Sequence, residues 1–105
     1  MITTTTPSIE GHPVQHYLGI VSSESIIGAN IFKDLLAGLR DIAGGRSGTY
    51  EKVIEEARTN AMNELIQKAQ SIGANAIIGI DLDFETVGTA SSMLMVMATG
   101  TAVKI

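Results

Sequence analysis

Between Tyr50 and Ile72 the apolar residues return every three or four positions. Tyr50, Val53, Ile54, Ala57, Ala61, Leu65, Ala69 and Ile72 share one broad face at about 3.6 residues per turn. Lys52, Glu56, Thr59, Asn63, Gln67 and Gln70 fall on the other side. The spacing predicts a long amphipathic helix. Ser47 or Thr49 stands where a side-chain oxygen can cap its first amides, and Glu51, Glu55 and Glu56 place negative charge near the positive end of its dipole. Glu64 and Lys68 are in the favourable i, i+4 order. Gly73 suits the left-handed residue that ends a helix. Beyond it the period drops to two, and Ile78, Ile80, Leu82 and Phe84 alternate with Gly79, Asp81, Asp83 and Glu85. That alternation predicts a strand buried on one face.

The flanking segments follow the same logic. Met1–Thr6, rich in β-branched threonine, predicts a short strand ended by Pro7, and residues 9–13 predict a turn. Val14–Ser22 predicts a second strand, with His12, Val14, His16, Leu18 and Ile20 on one parity and Gln15, Tyr17 and Val21 on the other. Ser22–Asn30 reads as a loop, with Asn30 capping a helix in which Ile31, Leu35, Leu39 and Ile42 repeat at helical spacing, Leu36 flanking. That helix is expected to end near Ala43. Residues 44–48 connect it to the long helix, and residues 87–91 form a turn. In the last segment, Ser92–Ile105, Met93, Met95, Met97, Thr99, Thr101, Val103 and Ile105 oppose Leu94, Val96, Ala98, Gly100 and Ala102. Both sides are largely apolar, so this strand is expected to be covered twice. The order is β–β–α–α–β–β in one domain over residues 1–105. The class is α+β, with two helices on one face of a mainly antiparallel sheet.

Composition sharpens this picture. Hydrophobic residues make up 45% of the 105 positions and charged residues only 17%, below the typical quarter. So small a domain has too few polar groups to cover its own surface, which together with the doubly apolar last strand points to a homo-oligomer. The net charge of −4 and the lack of a basic cluster argue against nucleic acid. With no cysteine, disulfides, thiolate metal sites and cysteine nucleophiles are excluded. The start has no basic-then-apolar leader pattern, and no apolar run approaches the ~20 residues that span a bilayer. A soluble, cytoplasmic protein is expected.

Candidate chemistry is sparse. Asp81, Asp83 and Glu85 project from one strand face. Alternate residues lie roughly 6–7 Å apart, so a pair of these carboxylates shares a hard cation only with help from another strand or subunit. A solvated strand face is the plainer account. Met93, Met95 and Met97 offer thioethers to a soft ion, although alternate methionines usually fill a core or an interface. His12 and His16, about 13 Å apart on a strand, are too distant to share an ion. The glycine-rich connector precedes a helix N-terminus and carries Arg46, as a phosphate cradle would. It lacks a P-loop pattern and a preceding strand, and the glutamates beyond it repel anions, so a tight turn between helices fits better. Arg58 falls inside the apolar arc of the long helix, either snorkelling to water or paired at a subunit contact or anion site. Arg46, Tyr50 and Arg58 are therefore the candidate ligand-binding residues. No catalytic constellation stands out, so a binding protein is expected rather than an enzyme.

One resemblance covers nearly the whole chain. The run GANIFKDLLAGLRDIAGGRSGTYEKVIEEARTNAMNELIQKAQSIGANAIIGIDLDFETVG, then MLMVMATGTAV, with TTTT near the start and YLGIV at residues 17–21, resembles the YbjQ-like family. GRSGTYE, GANAIIGID and GTAV are its most specific parts. The resemblance implies an α+β fold related to dodecin-like subunits, assembly into ring-shaped homo-oligomers (typically pentamers), and a heavy-metal-binding label without assigned catalytic residues. Any metal site would then rest on Asp81, Asp83, Glu85, the methionines or the histidines. A small-molecule binder or enzyme with a pocket between subunits, and a purely structural ring, are the alternatives.

Overall fold

The computed structural model of the chain describes residues 1–40 and 48–105, apart from the side chains of residues 35–40, 48–50 and 91. The element order is β1 (Ile2–Thr3), β2 (His16–Ile27), α1 (Ala29–Arg40), α2 (Gly48–Ser71), β3 (Ala76–Val87), a 3-10 turn at Thr89–Ser91, and β4 (Met93–Lys104). The sheet runs β1-β3-β4-β2. β4 pairs antiparallel with β2 and β3, while β1 lies parallel to β3, so the sheet is mixed although mainly antiparallel. The expected class, α+β, is the one found.

The long helix ends as its glycine requires. Gly73 takes φ +89°, and the amides of Gly73 and Ala74 return to the carbonyls of Gln70 (3.0 Å) and Ala69 (3.0 Å). This is the paired closure of a Schellman motif, which satisfies carbonyls the helix leaves unpaired. α2 then lies across β2 and β4 and barely reaches β3. Its contact side is built from small residues. Ala57, Ala61, Leu65 and Ala69 are buried against Val21, Val96, Ala98 and Ala102. Buried Ser23 donates its hydroxyl to the Ala61 carbonyl at 2.5 Å, which is possible only where helix and strand approach closely. Gly100 lies inside this layer. A Cβ there would stand 2.7 Å from Ile77 Cγ2 and 3.1 Å from Ile80 Cγ1.

Four local expectations are corrected. Residues 22–27 are not a loop. They continue β2 in register with β4 as far as Ile27 opposite Leu94. Ser23 and Ser25 face α2, where a larger side chain would push the helix away, so small polar residues here mark close packing. Asn30 is not the cap of α1, because the Phe32 amide donates to the Gly28 carbonyl at 3.0 Å and Asn30 falls within the helix. The alternation of β3 is interrupted, since Ile78 pairs with Thr101 and Asp81 with Thr99. One extra residue, at Gly79 with φ +61°, forms a bulge that puts Ile78 on the same face as Asp81 and Asp83. A second bulge between Tyr17 and Gly19 puts Tyr17 and Ile20 on that face too, against the parity expected for β2. The turn reading of residues 44–47 and the Ser47 cap lie outside the described residues.

The sheet therefore has unequal faces. One is covered by α2 over β2 and β4, where Leu94, Val96, Ala98 and Ala102 are buried. The other is covered only at one end, where Ile9, Val14 and Ile105 pack over Ala76, Ile78 and Val103. Along the rest, Met93, Met95 and Met97 are half-buried and Ile20 is 85% exposed. Within one chain β4 is thus covered once rather than twice. The molecule measures 52 × 29 × 16 Å with a radius of gyration of 16.6 Å, against about 13 Å for a compact chain of this length.

Gly100→Ala tests how tightly Ile77 and Ile80 of β3 close over Gly100 of β4. Ile77 is fully buried and has nowhere to retreat, so overpacking should cost about 1–3 kcal/mol. The expected reading is a lower urea midpoint with an unchanged slope.

Candidate functional site

The open face of the sheet gathers most of the chemistry. β3 supplies Asp81, Asp83 and Glu85, opposite Thr99, Met97 and Met95 of β4. β2 supplies Ser22, Glu24 and Ile26 opposite the same three residues. The rows across the sheet read Asp81–Thr99–Ser22, Asp83–Met97–Glu24 and Glu85–Met95–Ile26. All four carboxylates are exposed. Glu24 had no signal in the sequence, because its segment read as a loop.

Asp81 and Asp83 interact directly. Asp83's carboxyl is held above its ordinary range, chiefly by a hydrogen bond with Asp81, then by the charge of Asp81, by desolvation and by Glu85. A neighbouring carboxylate disfavours the ionised form, and a hydrogen bond to the protonated form favours that form. A folded-state pKa above the unfolded one means the folded chain holds this proton more tightly. The group favours folding below its unfolded pKa, and that contribution fades as pH rises through the folded value.

The other candidates do not converge with this row. His12 and His16 are exposed, His12 in the turn before β2 and His16 at its first position. Arg46 lies outside the described residues, and Tyr50 belongs to the first turn of α2 with its side chain not described. Arg58 is exposed on α2. A concavity of about 400 Å³ along α2 is lined by Lys52, Glu55, Glu56, Thr59 and Asn60, without Arg58. Its walls come from a single helix, so it encloses nothing.

The YbjQ family model, described as "Putative heavy-metal-binding", matches residues 1–105. The chain belongs to this family. The YbjQ fold also appears in a crystal structure of a DUF74-family protein of unknown function from Pediococcus pentosaceus ATCC 25745. That protein is 18% identical, with a TM-score of 0.67 over 100% of this chain and 97% of the other. At that identity the likeness shows the fold alone. No helix among the described residues is long and apolar enough to cross a membrane.

The family's description implies a metal ion, and the donors of one chain do not fit a soft one. Cysteine is absent, and soft ions select thiolate and thioether sulfur. The three methionines of β4 are spread along one strand at alternate positions rather than converging. Among the described residues no group of three or more His, Asp or Glu side chains is disposed around a common point. What one chain offers is the neighbouring Asp81 and Asp83 carboxylates, which suit an oxygen-seeking cation only if further ligands come from elsewhere.

Asp81→Asn is expected to lower the Asp83 pKa toward the ordinary carboxylate value, since the neighbouring carboxyl and its charge are both removed. A carboxyl-carbon NMR titration reads this directly. An unchanged Asp83 titration would mean that the two groups are not coupled.

Proposed function

We propose that this chain is the subunit of a homo-oligomeric binding protein, with copies set around a common axis and their open sheet faces turned toward it. The observation that carries this reading is surplus surface. The chain exposes 6597 Å², about 1,000 Å² more than the roughly 5,600 Å² expected of a compact protein of 11.0 kDa. Part of the exposed surface is apolar: on one face Tyr17 is 72%, Ile20 85% and Ile26 55% exposed, Ile26 beside half-buried Met95. Large exposed apolar side chains gathered on one face mark an interaction surface. Five copies is the number the family resemblance implies.

A metal ion is the first candidate ligand, because the family description names one and the Asp81–Asp83 pair faces the proposed axis. Repetition around an axis would multiply a donor pair that is inadequate alone. A hard, oxygen-seeking cation fits carboxylates of this kind better than a soft heavy metal does.

Native mass spectrometry after dialysis against a panel of hard and soft divalent ions tests both parts. The expected spectrum shows a single multiple of the 11.0 kDa subunit carrying a stoichiometric hard cation, with the cation lost from the Asp81→Asn, Asp83→Asn double variant. An assembly that takes up no ion from the panel would remove the metal reading. A monomer would remove the oligomer.

A further inference from the structure

The outer rim of β3 is bonded along only part of its length. The amides of Gly79 and Ile80 donate outward to the carbonyls of Thr6 (2.9 Å) and Thr4 (3.1 Å). Beyond Ile80 the rim has no strand beside it among the described residues. Backbone groups alternate in direction along a strand. Leu82, Phe84 and Thr86, at every second position after Ile80, therefore turn their N–H and C=O groups away from β4. Asp81, Asp83 and Glu85, between them, bond inward to Thr99, Met97 and Met95.

The two faces beside this rim differ in chemistry. On the helix side lies a largely apolar groove of about 280 Å³, lined by Thr3, Thr4, Thr5, Met62, Ile80 and Leu82. Phe84, next on that side of β3, is 46% exposed. On the open face stand the carboxylates of Asp81, Asp83 and Glu85, with Glu24 across β4. No lysine, arginine or histidine shares those rows.

We infer that this rim takes an extended segment of a partner protein as a further strand, one in which basic and apolar residues alternate. Neighbouring strands in a ladder share side-chain direction. Alternate residues of the added strand thus fall beside Leu82, Phe84 and Thr86, where the groove favours apolar side chains. The residues between them fall beside Asp81, Asp83 and Glu85, where charge favours lysine or arginine. Backbone bonds to the rim supply affinity, and the two faces supply specificity. From Leu82 to Val87 the rim runs about 20 Å, the length of roughly six extended residues.

The same charges disfavour a second copy at this place. Setting β3 against β3 of another copy brings two acidic rows together, and like charges directly opposite are destabilising. The rim of β2, at the other edge of the sheet, carries Glu24, and its Ser22 carbonyl is already bonded to Lys68 Nζ at 2.7 Å. The self-association proposed above uses the open face rather than this rim, so neither reading depends on the other.

Amide hydrogen exchange followed by NMR tests this, with a synthetic peptide of about seven residues alternating lysine and valine as the probe. In the protein alone the amides of Phe84 and Thr86 are expected to exchange freely, and saturating peptide is expected to slow them about tenfold or more. A peptide of the same composition with its lysines and valines in separate blocks is expected to give no such protection. The alternating peptide N-methylated along its backbone is expected to give none either. Asp83→Asn with Glu85→Gln is expected to weaken binding of the alternating peptide about tenfold. Equal protection by all three peptides or by none, or binding unchanged in the double variant, would overturn the inference. Rim amides protected without any peptide would overturn it too, by assigning the rim to a second copy. A monomeric wild type would remove the self-association and leave this inference standing.

Discussion

The close seating of α2 on β2 and β4 governs the rest of the molecule. Ala57, Ala61 and Ala69 on the helix meet Ala98, Gly100 and Ala102 on β4, and Ser23 fills the remaining gap with a hydrogen bond to the helix backbone. Small residues let the layers approach, while Ile77 and Ile80 of the neighbouring β3 leave no room for a larger side chain at Gly100. Since one helix spans only part of a sheet, placing α2 over β2 and β4 leaves β3 under-covered on the helix side. The far face receives no helix at all among the described elements. The two uncovered surfaces follow from one packing choice.

Much of this was legible in the pattern of residues. The 3.6-residue period announced α2, Gly73 its end, and the switch to a period of two announced β3. What escaped has identifiable physical causes. Ser22, Ser23 and Ser25 carry the composition of a loop, but in β2 Ser23 and Ser25 serve a close helix contact. Gly79 looks like one member of an alternating strand, yet its positive φ inserts a residue and moves Ile78 to the opposite face. Strict alternation cannot reveal a bulge, because the signal is a single residue of register. The acidic row was visible as an alternation of Asp81, Asp83 and Glu85. Glu24, across β4 from Asp83, depended on a strand pairing that only the folded sheet supplies.

The acidic row also explains why a family described by heavy metals has here so little with which to hold one. Carboxylates and thioethers alternate across the open face, but in a single chain none converge, and Asp81 beside Asp83 holds the Asp83 carboxyl above its ordinary range. Lys68 lies nearby on the helix side, donating to the Ser22 carbonyl at 2.7 Å while pairing with Glu64 at 3.3 Å. It occupies a backbone acceptor of β2 and so ties the helix to the strand. The open face thus combines greasy area with uncompensated negative charge. In the proposed assembly the greasy area would be covered, but the carboxylates of several copies would be brought together, and a bound cation would be needed to relieve their repulsion.

The most direct measure of that claim is small-angle X-ray scattering from the purified chain over a dilution series into the low micromolar range. The account predicts a forward-scattering mass several times 11.0 kDa at every concentration, with a radius of gyration well above that of one subunit. A folded particle of 11.0 kDa with a radius of gyration near 16.6 Å would contradict it.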